Sequence, residues 1–204
     1  MRHFILLLLS TSLFASSFIP KEFEAKLDQV VKRRVANKIS KEPLKLKYKY
    51  PKNIAMYLDN MTYICNAQTT WRYTPEFIEG QKGEVNIGKS SKYCFSSIFD
   101  ALKYGFKKND IYVVKKDIKN SIVVFEFKDK AQKSLSISSI EFKFDKKISN
   151  ALTLKDVKTM KIKYPQKSKK DTLYEIKKIS TSVNYTDADF IFNIPKNTKK
   201  VYLN

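Results

Sequence analysis

Leu44-Lys45-Leu46-Lys47-Tyr48-Lys49-Tyr50-Pro51 alternates an apolar side chain with a lysine at every step and then stops at a proline. Successive side chains of a strand point to opposite faces, so this period of two describes a strand with one buried and one solvated face. The same alternation recurs at Ile54, Met56 and Leu58, at Trp71 and Tyr73, and at Val123, Phe125 and Phe127. It returns at Ile140, Phe142 and Phe144, at Met160, Ile162 and Tyr164, and at Phe190 and Phe192. Turn-forming residues separate the runs at 51–53, Asp59 and Asn60, Asp129 and Lys130, 145–147 and 165–170. A succession of short alternating strands predicts a mainly β chain folded as a meandering antiparallel sheet.

One segment departs from that period. Phe95, Ile98, Phe99, Leu102 and Phe106 fall at helical spacing behind Ser90 and Ser91, which predicts a helix over about 92–107. Residues 23–35 fit both readings, because Phe23, Ala25 and Leu27 alternate while Phe23, Leu27, Val30, Val31 and Val35 also suit one helical face; a strand is favoured. Gly80, Gly83 and Gly88 lie close together and suggest tight turns.

The opening MRHFILLLLSTSLFASS has a basic start, an apolar run from Phe4 to Leu9 and small residues at Ala15, Ser16 and Ser17, the pattern of a secretory signal peptide. Residues 1–17 are therefore expected to be removed, leaving 18–204 as one periplasmic domain. The first cysteine, Cys65, stands far from the apolar run, so a lipid-anchoring cysteine is not expected. Export places the chain where thiols are oxidised, so Cys65 and Cys94, the only two cysteines, are expected to pair; their separation in space is not readable from sequence. The formal net charge is +20, carried by lysines scattered along strands. A field of that size attracts polyanions of every kind and selects none.

Catalytic chemistry finds little purchase. The only histidine, His3, lies in the signal segment, which removes imidazole-based triads and dyads. Two separated cysteines make no zinc motif, and no phosphate-binding glycine loop is present, so no cofactor or metal is expected. Glu76, Glu79 and Glu84 remain as candidates for a carboxylate pair of glycosidase type, though acidic residues on a turn of a basic protein are ordinary.

The stretch TTWRYTPEFIEG, read with the two strands before it, resembles the LolA family of periplasmic carriers of outer-membrane lipoproteins. Trp71, Tyr73 and Pro75 meet that family's Trp-x-Tyr-x-Pro pattern, and Phe190, Phe192 and Pro195 meet its closing Phe-x-Phe-x-Pro loosely. The resemblance spans about 23–203. It implies an incomplete antiparallel β-barrel with a helical lid, including the helix at 92–107, over an apolar concave face that takes the acyl chains of cargo. It further implies acylated lipoproteins, an inner-membrane ATP-driven release complex and an outer-membrane acceptor lipoprotein as partners. Nucleic acid is not expected as a partner, and the chain is expected to be a monomer. Tyr50 stands where the family has an arginine that helps hold the lid, so the lid here is expected to be held differently. The residues expected to line the cavity are Leu27, Ile54, Met56 and Tyr63, then Trp71 and Tyr73, then Phe95, Ile98 and Leu102 from the helix, with Val124 and Phe142. The competing reading is a basic scaffold or polyanion binder that has no lipid cavity.

Overall fold

The computed structural model describes residues 18–32, 39–149, 151–166 and 168–203. The expected signal segment, His3 and Val35 lie outside the described residues. The chain forms strands β1 (Glu22–Lys32), β2 (Ile39–Lys49), β3 (Asn53–Leu58), β4 (Met61–Cys65), β5 (Thr69–Thr74) and β6 (Glu84–Lys89). Two short helices follow, α1 (Ser90–Tyr93) and α2 (Ser96–Ala101), then β7 (Tyr112–Asp117), β8 (Ile122–Phe127), α3 (Asp129–Leu135) and β9 (Ser139–Phe144). Strands β10 (Val157–Lys163), β11 (Thr172–Ser180) and β12 (Lys199–Tyr202) complete the chain.

All twelve strands join one sheet in the order β12-β6-β5-β4-β3-β2-β1-β11-β10-β9-β8-β7. Every described pairing is antiparallel except β12 beside β6. The first and last strands of that order do not meet, so the fold is an incomplete antiparallel barrel with small helices over its concave face. Residues 22–32 are strand, which resolves that part of the ambiguous segment, and β1 occupies the middle of the sheet between β2 and β11.

Register carries the alternation of Leu44, Leu46 and Tyr48 across the sheet. Leu46 faces Ala25 on one side and Met56 on the other, and Met56 faces Tyr63. These residues share the inner face with Val123, Phe125 and Phe127 of β8 and Ile140, Phe142 and Phe144 of β9. Over β8 and β9 the inner face is filled. Phe18 stacks on Phe125 at 5.4 Å between ring centroids and meets Phe142 edge-on at 5.2 Å, while Phe106 lies 5.2 Å from Phe18. Aromatic pairs at these separations contribute about 0.5–1.5 kcal/mol each beyond the area they bury.

The helix expected over 92–107 is broken into shorter pieces. Cys94 is extended (φ −82°, ψ 119°) between α1 and α2, and after α2 the chain tightens into a 3-10 turn, Leu102–Tyr104, that ends at Gly105 with φ 55°. Ser90 does not cap a helix, because its hydroxyl donates to the Ala67 carbonyl at 2.7 Å. Helix α3 begins at Asp129 and Lys130, which sequence reads as a turn. Phe190 and Phe192, whose spacing suggests a strand, lie at the end of the 3-10 turn Asp187–Phe190 and in the extended chain beyond it.

Candidate functional site

Between the centre of the sheet and the helices lies a cavity of about 250 Å³. Its floor is the apolar parity of six strands: Leu27 of β1, Leu44 and Leu46 of β2, Ile54, Met56 and Leu58 of β3, Met61 of β4, Met160 and Ile162 of β10, and Tyr174 of β11. Its roof is Ile98 and Phe99 of α2, with Phe95 just before that helix and Leu135, Ser136 and Ile137 at the end of α3. Lys169 is the only charged side chain on it among the described residues. Phe95 remains 51% exposed beside the cavity.

Five of the expected lining residues, Leu27, Ile54, Met56, Phe95 and Ile98, do line this cavity. Tyr63 shares their face but supports the roof: its hydroxyl accepts the Phe95 backbone N–H at 3.0 Å and its ring lies 5.1 Å from that of Phe95. Burial pushes the Tyr63 hydroxyl up to about 12, so it stays protonated at neutral pH. Leu102 and Phe142 are fully buried in the filled core and do not reach the cavity.

Trp71, Tyr73 and Val124 require correction, because all three stand on the opposite face. Register places Arg72 across from Tyr63, which leaves Trp71 and Tyr73 pointing outward with Ile64 and Thr62. There they meet a second apolar cluster of Ala55, Ile64, Tyr185 and Phe190, covered by the segment that includes Val183 and Phe192. The Tyr73 ring lies 5.2 Å from that of Phe192. Val124 sits between Lys115 and Glu141 on the outer face of β8, one residue out of phase with the buried Val123 and Phe125.

Two ties hold the roof to the floor. Cys65 at the end of β4 is disulfide-bonded to Cys94, with 5.8 Å between Cα atoms. Six residues further on, the carboxylate of Asp100 in α2 accepts the Tyr48 hydroxyl on Oδ1 at 2.7 Å and the Lys52 backbone N–H on Oδ2 at 3.2 Å. Burial raises the Asp100 pKa above the usual carboxylate range, and the bonds from Tyr48 and Lys52 act against that rise. The Tyr48 hydroxyl is held well above the usual phenol range by burial first and by its carboxylate partner second. Tyr50 takes no part in this tie; it lies partly exposed, with the Lys103 Nζ 6.0 Å from its ring centroid. No signal in the sequence joins Tyr48 to Asp100, since they lie 52 residues apart.

The lysines of β2 are already engaged on the outer face. Lys45 pairs with Glu24 at 3.1 Å, Lys47 with Asp189 at 3.1 Å, and Lys49 donates to the Tyr185 carbonyl at 2.8 Å. Two of the three carboxylates considered for hydrolysis also have partners. Glu76 accepts the Gly80 N–H at 2.8 Å, and Glu84 is held below the usual range by its hydrogen bonds from Lys199 and Asn86. Among the described residues, no group of three or more His, Cys, Asp or Glu is placed to hold a metal ion.

No family model matches the chain, and no curated protein matches it in sequence. Among solved structures it is similar to a DUF1329 family protein from Desulfovibrio piger, at 13% identity and a TM-score of 0.48 over 84% of this chain and 90% of that one. It is also similar to a domain from Vibrio parahaemolyticus named as a candidate outer-membrane lipoprotein-sorting protein domain, at 11% identity and a TM-score of 0.35 over 83% of this chain and 88% of that one. At these values neither likeness speaks to family or function, which rest on the chain's own residues.

Proposed function

We propose that this protein is a non-enzymatic periplasmic carrier that takes the acyl chains of lipoproteins into its cavity and shuttles them from the inner to the outer membrane. The observation that carries the reading is the apolar cavity of about 250 Å³ between sheet and helices, with Phe95 exposed beside it. The direction of transport and its partners, an inner-membrane ATP-driven release complex and an outer-membrane acceptor, follow from the sequence resemblance to lipoprotein carriers.

Burying an acyl chain gains roughly 0.8 kcal/mol per methylene, so a chain of about fifteen carbons gains on the order of 12 kcal/mol. Two or three such chains would exceed the affinity ceiling of about 18 to 21 kcal/mol, and a carrier that bound them so tightly could not release them. The cavity as it stands lies below the range of about 300–1,000 Å³ usual for ligand pockets. Fuller loading therefore requires α2 and the end of α3 to move away from the floor. Exposing Ile98, Phe99 and Ile137 costs free energy, and that cost weakens net binding enough for hand-over.

The test is titration with a diacylated peptide bearing a solvatochromic label on one chain, together with mass spectrometry of protein isolated from its native compartment. Native protein is expected to carry lipoprotein, and the label to shift to shorter wavelength on binding. Met56→Lys places a charge in the apolar floor and is expected to weaken binding at least tenfold, since an unpaired buried charge is costly. The emission of Trp71, on the outer face, stays unchanged throughout. Equal binding by the Met56→Lys protein, or displacement of the label by heparin, overturns the reading.

A further inference from the structure

Beside the apolar cavity lies a second depression of different character. This one runs between α1, α2 and the end of α3, encloses about 650 Å³, and shares Phe95, Ile98, Leu135 and Ser136 with the first. Its walls carry the hydroxyl residues Ser91, Ser97 and Ser134 and two lysines, Lys52 and Lys103. Asp100 is the only acidic residue lining it among those described, and both of its oxygens already accept hydrogen bonds from Tyr48 and the Lys52 backbone. The Lys103 Nζ stands 5.1 Å from the Tyr104 ring centroid and 6.0 Å from that of Tyr50. An apolar chamber thus adjoins a hydroxyl-lined depression with excess positive charge.

That sequence of environments is the shape of an amphiphile. We infer that the second depression is a head-group site, and that an acyl chain in the cavity is held more tightly when it carries an anionic group, a carboxylate or a phosphate, within reach of Lys52, Lys103 and the hydroxyls of Ser91 and Ser134. The inference rests on the acyl-chain reading of the cavity and adds to it the charge of the head. Lysine ammonium groups donate charge-assisted hydrogen bonds to such heads, and these are stronger than bonds between neutral groups. The small apolar volume of the closed arrangement accommodates one chain more readily than several, so single-chain compounds probe the head-group site without requiring the roof to move.

The experiment displaces a solvatochromic single-chain probe with dodecanoate, dodecyl phosphate, dodecanol and dodecyltrimethylammonium, each below its micellar concentration. Dodecanoate or dodecyl phosphate is expected to bind about tenfold more tightly than dodecanol, the gain of one charge-assisted hydrogen bond, and the cation more weakly than the alcohol. The ranking of the two anions distinguishes a carboxylate site from a phosphate site. The preference for an anion should shrink as salt rises. It should vanish in the Lys52→Gln/Lys103→Gln protein, while dodecanol affinity stays the same and so reports that the variant is folded. The single Lys103→Gln variant, which alters only an exposed side chain, should lose part of the preference. Equal binding of anion and alcohol by the native protein, or a preference that survives in the double variant, overturns the head-group inference and leaves the acyl-chain reading standing. Failure of all four compounds to displace the probe overturns both.

Discussion

Asp100 is a half-buried carboxylate whose hydrogen-bond partners among the described residues are a phenol and a backbone amide, with the Lys103 and Lys52 side chains acting on it through charge alone. Because burial raises its folded-state pKa above the ordinary value of about 3.9, the folded chain holds this proton more tightly than the unfolded chain does. The stability that the group lends is complete below the ordinary value and is lost as pH rises through the raised one. Comparing urea unfolding of the native protein with Asp100→Asn from below the ordinary carboxylate value up to neutral pH isolates this group from the surface carboxylates. The native protein should lose stability relative to the variant as pH rises; a constant difference would show that Asp100 bears no burial cost. Tyr48→Phe removes the bond that lowers the Asp100 pKa, so its decline should start at the same pH but extend to higher pH and be larger. At neutral pH the Tyr48→Phe change should cost about 1–3 kcal/mol, the range for leaving a buried polar group without its partner.

Strand parity was legible from the sequence, and the side it faced was legible only where lysines marked the water. In β2 every residue between Leu44 and Tyr50 out of phase with the apolar set is lysine, so inside and outside are unambiguous. In β5 the run Thr69–Thr74 places Trp71 and Tyr73 opposite Thr70 and Arg72, and the larger side chains face outward. They do so because the segment with Tyr185, Phe190 and Phe192 returns to cover the outer face of β3–β5, a contact more than a hundred residues away. The broken helix was hidden for a related reason: its apolar spacing is real, but the bond from Cys94 to Cys65 holds an extended residue within it. That bond closes a loop with a separation of 29 residues, which the chain-entropy model values at about 3–4 kcal/mol. Cys65→Ser/Cys94→Ser should therefore lower Tm by about 10 °C and speed hydrogen exchange over 90–104. Intact mass before and after alkylation checks the premise, and two alkylatable thiols in oxidised protein would remove it.

The whole sheet has two open edges, β7 and β12, and an open edge invites pairing with another chain. Both carry lysines, Lys115 and Lys116 on β7 and Lys199 and Lys200 on β12, and bringing two such edges together would set like charges side by side. Replacing Lys199 and Lys200 with threonine should make sedimentation depend on protein concentration; a monomer at all concentrations would show that the edge is protected by other means. The position of β1 acts on another quantity, time. Strands β2 to β6 and β7 to β11 each run in consecutive order, whereas β1 alone joins the two blocks, with Leu27 beside Leu44 on one side and Ile176 on the other. Among the described strands that central one comes first along the chain, yet its second neighbour comes last but one. Each half can form as it emerges, but the join must wait. Until β11 arrives, the nascent chain carries its middle strand with one side unclaimed, and that interval is when it most needs protection by a chaperone.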